Sequence, residues 1–162
     1  MKKIAIILLL TSIKIFSQVA IGKTSIDGAG ILDFKIGESK GIILPYTSSI
    51  SNPSNGTLTF DKSSKKVMYF GDGHWINMTD EGIFPPSSNE PEQTNESGFI
   101  IGTKPATAIG VLVLESNSRA LILPKVNNAS VDMFNPSPGT ICYDLSTDSI
   151  AIFNGVVWSY WK

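Results

Sequence analysis

One histidine, one cysteine, two aspartates that follow matching strands and a set of hairpin aromatics are the residues whose types could do chemistry here. His74 would have to be the base of any hydrolytic or transfer reaction. That role needs a nucleophile and an orienting acid within reach, and the chain has neither a nucleophile elbow nor an HExxH pair. Placed directly after Asp72-Gly73, His74 reads as a solvent-exposed turn residue. Cys142 has no second cysteine to bridge, which leaves a buried thiol, an intermolecular bridge or a reactive group. In Ile141-Cys142-Tyr143 the alternation of a strand turns it away from both neighbours, and it reads as a small structural residue. Asp61 and Asp144 follow Phe60 and Tyr143, and clustered oxygens are what calcium takes. Neither stretch has the D-x-D spacing of a calcium loop, and aspartate suits turns through its own hydrogen bonding. The expectation is a protein that is not an enzyme and carries no cofactor or metal.

The aromatics are better candidates for a binding surface. Tyr69, Phe70 and Trp75 share one hairpin, and Phe153, Trp158, Tyr160 and Trp161 share another. Rings of this kind stack on sugar faces or anchor protein interfaces. Trp75 and Trp158 occupy matching places, which favours a core-capping role for both, and with Tyr69 they are secondary candidates for partner binding. Tyr160 and Trp161 have no aromatic counterpart in residues 76–78 and are the leading ones.

What must position these residues is a sequence that states nearly the same thing twice. Ile21-Gly22 returns as Ile101-Gly102, Gly30-Ile31-Leu32 as Gly110-Val111-Leu112, and Ile43-Leu44-Pro45 as Ile122-Leu123-Pro124. Asn52-Pro53 returns as Asn135-Pro136 and Gly56-Thr57 as Gly139-Thr140, and Trp75 and Trp158 each close a copy. Between the copies, residues 79–97 are rich in proline and acids and poor in apolar residues, a composition that reads as a linker. Ile83 and Phe84 could pack back on a module. The expected organisation is a signal peptide (1–18), a β module (19–78), a linker (79–97) and a second β module (98–162).

Each module carries short apolar runs bounded by glycine, proline and asparagine, without a sustained helical period. Residues 27–34 and 106–114 are taken as strands. Asn154-Gly155 suits a two-residue hairpin turn in which both residues need positive φ. The fold class expected is all-β, two tandem repeated modules of short antiparallel strands arranged as β-meanders.

The first residues point to export. Lys2 and Lys3 precede the apolar run 4–10, and Ser17-Gln18 offers a cleavage site before Val19. Thr11, Ser12 and Lys14 interrupt the run well short of the roughly twenty apolar residues a span needs, so no transmembrane anchor is expected. Removal of this segment takes Lys2, Lys3 and Lys14 away, so 13 Lys plus Arg become 10 against 14 acids, about −4. A mildly acidic chain with no basic run lacks the footprint for nucleic acid.

Taken together, residues 21–24, 40–45, 52–61 and 70–75, with 101–103, 119–124, 135–144 and 153–158, resemble a repeat of exported surface proteins in Bacteroidota-type bacteria. The repeat is also similar to segments of tail-fibre-like proteins. The resemblance implies an extracytoplasmic structural or adhesive role and transfers no catalytic residues. Such bacteria move adhesins to the surface by type IX secretion, and a two-module protein of this kind would be an accessory of a secreted adhesin. Asp148-Ser149-Ile150 resembles the short O-glycosylation motif of exported proteins in that group. The expected function is a binding or structural component of the cell envelope, in the periplasm or at the cell surface, that docks on an adhesin or secretion cargo. The alternatives are a glycan-binding module using the hairpin aromatics, and a self-associating fibre-like component.

Overall fold

The computed structural model describes residues 18–84, 98–102 and 110–162. The expected signal peptide up to residue 17, linker residues 85–97 and part of the segment 106–114 lie outside the described residues. In chain order the strands are β1 (Val19–Ile21), β2 (Gly30–Phe34), β3 (Ile42–Ile43), β4 (Tyr46–Thr47), β5 (Leu58–Asp61), β6 (Lys66–Gly71) and β7 (His74–Asn77). There follow β8 (Phe99–Gly102), β9 (Leu112–Glu115), β10 (Ala120–Leu121), β11 (Lys125–Val126), β12 (Thr140–Asp144), β13 (Ser149–Phe153) and β14 (Trp158–Trp161). One helical turn, α1 (Ala129–Asp132), lies between β11 and β12. The class is all-β, built from several small sheets. No helix among the described residues is long and apolar enough to cross a membrane.

The antiparallel meanders are present as β5-β6-β7 and β12-β13-β14. The sheets are not purely antiparallel, however. β1 runs parallel to β2, β8 to β9, β4 to β5 and β11 to β12, and β10 is parallel to β2. A parallel pair needs a long crossover connection, and the turn-rich stretches 48–57 and 127–139 act as such connections, the second carrying α1. The two four-strand paths β4-β5-β6-β7 and β11-β12-β13-β14 have the same order and pairing senses.

The second hairpin turn differs from the expected one. At Asp72-Gly73 both φ values are positive, 51° and 78°, and Gly71 pairs with His74 across a two-residue turn. In the β13–β14 hairpin the Asn154 amide donates to the Val157 carbonyl at 3.2 Å, so the turn residues are Gly155 and Val156. Only Gly155 there has positive φ, 96°, as in a turn whose first central residue alone is glycine-like. Asn154 is displaced from the turn because its side chain is in use: its Oδ1 accepts the amides of Val156 and Val157 at 2.9 and 2.8 Å.

The halves are interlocked. β3 adds antiparallel to β12, and β10 adds to β2, so each half lends a strand to the other's sheet. Leu44, Phe60 and Val67 form one core with Ile141 and Ile152, and full burial of such side chains stabilises by roughly 1.5–3 kcal/mol each. Phe84, just past β7, meets Tyr46 edge-on with ring centres 5.4 Å apart, and the Tyr46 hydroxyl donates to the Pro138 carbonyl at 2.7 Å. Ile83 stays exposed and uses only its backbone, its amide donating to the Asn154 carbonyl at 3.0 Å. A second core holds Val126, Ala129, Met133, Cys142 and Ala151, and a third joins Ile31 and Leu32 to Ile101.

Candidate functional site

Among the described residues β7 and β14 are the last strands of their sheets, each bonded along one edge. Alternation along β14 sets Trp158 and Tyr160 on one face and Ser159 and Trp161 on the other. Trp158 packs against the Cys142 core, whereas Trp161 reaches the end of β7, where its Nε1–H donates to the Met78 carbonyl at 2.7 Å. That bond fixes the indole at the rim of an open cleft of about 350 Å³, lined also by Lys66, Asn77, Thr79, Asp80 and Ser159.

The wall after β7 is held from two sides. Buried Thr79 accepts the Val67 amide on its hydroxyl at 3.1 Å. Buried Asn154 directs its Nδ2 at the Asp80 carbonyl at 3.3 Å. Trp161 thus shares a shallow polar cleft with a lysine, an aspartate and an asparagine. This set can bind; it contains no nucleophile paired with a base.

Of the sequence candidates, Trp161 lies in this cleft and Tyr160 on the same strand, 38% and 41% exposed. Trp75, Trp158 and Tyr69 are half-buried and do not line it. Trp75 meets Phe70 with ring centres 5.3 Å apart, and Trp158 meets Phe153 at 5.2 Å, so both are partly spent on packing. Lys66 and Asp80 were not singled out from sequence. Asp80 falls in the linker-like composition after Trp75, and the ties of its segment to Val67 and Asn154 bring it to the site.

The remaining chemistry-bearing residues have structural partners. His74 is exposed, with Nδ1 3.1 Å from the Asp72 carbonyl. Cys142 is buried, and burial, with the neighbouring Asp144 carboxylate adding to it, pushes its thiol up to about 12. Asp144 accepts the Ala129 amide at 2.7 Å, the Ser146 hydroxyl at 2.6 Å and the Ser146 and Thr147 amides at 2.8 and 3.0 Å. Burial opposes its charge, but these bonds outweigh it and hold its carboxyl below the usual range. Asp61 accepts the Ser64 amide at 2.7 Å. Both aspartates thus close turns, and among the described residues no group of three or more His, Cys, Asp or Glu side chains could hold a metal ion.

Ser149 is 2% exposed and its hydroxyl bonds that of Thr147 at 2.6 Å, so the folded chain does not present Asp148-Ser149-Ile150 for glycosylation. A residue overlooked in the sequence is Asp33, buried on β2 and 2.7 Å from the Lys23 ammonium, which also pairs with Asp27 at 2.7 Å. Its signal was a carboxylate inside the apolar run Gly30-Ile31-Leu32-Asp33-Phe34, where the second copy has Val113. No protein-family model, curated protein or solved structure matches the chain.

Proposed function

We propose that the protein is a non-enzymatic binding component of the cell envelope that docks on another exported protein, an adhesin or secretion cargo, through β14 and the adjoining cleft. The observation that carries this is the outer edge of β14, where Tyr160 and Trp161 are exposed and the Trp161 ring is oriented by Met78. An unpaired edge offers main-chain hydrogen bonds to an extended segment, and a pre-oriented aromatic beside it supplies an anchor without a further loss of rotamer freedom. The n-region and h-region of residues 1–18 and the resemblance to exported surface repeats support the location.

The test is mass spectrometry of proteins cross-linked to the tagged chain in its native envelope, with Tyr160→Glu in parallel. One stoichiometric exported protein, lost with Tyr160→Glu while the circular dichroism spectrum is kept, is the expected result. Capture indifferent to Tyr160→Glu overturns the assignment of the surface. A glycan is the second reading, favoured by the grouping of Trp161 with Lys66, Asn77 and Asp80. A shift of tryptophan fluorescence on titration with envelope polysaccharide, absent in Trp161→Ala, would move the assignment there.

A further inference from the structure

The outer edge of β9 is a strand seat of the kind that β2 uses within the chain. On β2 the seat is filled by β10: the Ile122 amide donates to the Leu32 carbonyl at 3.0 Å, and the Ile122 side chain lies over Gly30. A Cβ at Gly30 would stand 2.7 Å from Ile122 Cδ1, so a side chain there would push Ile122 aside, whereas glycine lets it lie close. Gly110-Val111-Leu112, which leads into β9 as a bend, repeats the sequence of that seat, and β8 lies along β9 in parallel as β1 lies along β2. The Phe99 amide donates to the Val111 carbonyl at 2.8 Å, on the β8 side. Successive backbone groups of a strand alternate in direction, so the amide and carbonyl of Leu112 point to the opposite edge. No strand pairs with that edge among the described residues. Gly110 has kept the missing Cβ although the nearest atom to it would be Val113 Cγ2 at 3.4 Å, and Val111 and Leu112 are 73% and 44% exposed.

The matching insert is also on this chain and also half-used. Ile43 in Ile43-Leu44-Pro45 is the counterpart of Ile122 in Ile122-Leu123-Pro124. Among the described residues β3 is bonded along one edge only, to β12, and Ile43 is 54% exposed where Ile122 is half-buried. Within one chain, β3 and β9 are not paired. We infer that they meet between two copies of the protein: β3 of one copy seats in parallel on β9 of the next, with the Ile43 amide on the Leu112 carbonyl and the Ile43 side chain over Gly110. Seat and insert are different surfaces, so the contact is heterologous and propagates until it closes a ring or grows a filament. Exposed apolar residues on an open edge are what such a contact would cover.

Sedimentation velocity of the purified protein, from micromolar to sub-millimolar, tests this with two variants that block opposite sides. Gly110→Val fills the seat and Ile43→Lys charges the insert. Among the described residues nothing crowds either position, so the circular dichroism spectrum and melting temperature should stay those of the wild type. The expected result is a concentration-dependent assembly that each variant weakens about tenfold or more. Mixing the two variants should restore a complex, because one retains an intact seat and the other an intact insert. A wild type that stays monomeric throughout, an assembly indifferent to both variants, or a mixture that fails to associate would each overturn the inference.

Discussion

Replacing Asp144 by alanine should destabilise the protein about three times as much as replacing Asp61, although the two aspartates end matching strands. The difference follows from what each carboxylate accepts. Asp61 is only half-buried and serves its own turn alone, through the Ser63 and Ser64 amides, bonds whose loss water largely repairs, about 1 kcal/mol. Asp144 is fully buried and binds the buried Ala129 amide as well as its own turn. Stranding that amide costs about 1–3 kcal/mol, and the exposed-turn bonds add roughly 1 more. The total is about 3 kcal/mol, or about 9 °C in melting temperature for a chain of this size. The carboxyl is held below its ordinary value, so its stabilisation is complete above the unfolded pKa of about 3.9 and is lost as pH falls through the folded value. Urea unfolding followed by tryptophan fluorescence, at neutral pH and again well below pH 3.9, measures both effects. Equal destabilisation by the two alanine variants, or an Asp144→Ala deficit that does not shrink in acid, would refute the reasoning.

Two further outcomes follow from the packing. Gly41→Ala should destabilise by about 1–3 kcal/mol, because its Cβ would stand 2.5 Å from Thr140 Cγ2 and 2.8 Å from the Ile141 carbonyl oxygen; a urea midpoint equal to the wild type would show that β3 does not seat on β12 as described. The thiol of Cys142, buried and pushed up to about 12, should react with a disulfide reagent at pH 8 only as fast as the protein unfolds, and at once in denaturant. Prompt labelling of the native protein would place the thiol at the surface.

The hairpins were legible because their signal is local. Alternation in residues 57–60 and 140–143 and the Asp72-Gly73 turn lie within a few residues of the contacts they specify. The pairings of the shortest strands were not legible, since β3, β4 and β11, of two residues each, are too short to show a period. Their partners come from elsewhere in the chain: β3 bonds a strand almost a hundred residues later. The turn at Gly155-Val156 was misplaced by one residue, because the Asn-Gly pair is a strong turn signal and nothing nearby shows Asn154 engaged with Asp80. The site was legible only on one side. Tyr160 and Trp161 stood out as aromatics without counterparts, whereas Lys66 and Asp80 gain meaning only when β14 is laid beside β7.

One substitution between the copies accounts for much of the asymmetry. The segments 40–45 and 119–124 share their apolar pattern, yet the first has Gly41 where the second has Ala120. Seating on β12 brings the backbone of residue 41 against the Ile141 carbonyl, which a methyl group would obstruct. Ala120 carries that methyl group and joins β2 in parallel, through its amide to the Ala29 carbonyl at 3.1 Å. The same repeated strand therefore has two kinds of seat, and residue 41 or 120 decides whether the antiparallel one is open to it. By that rule Ala120 bars β10 from an antiparallel seat on β5 of a neighbouring copy, and no such bar applies to β3 on β9. In the assembly inferred above, the insert would therefore come from the first half of one copy and the seat from the second half of the next.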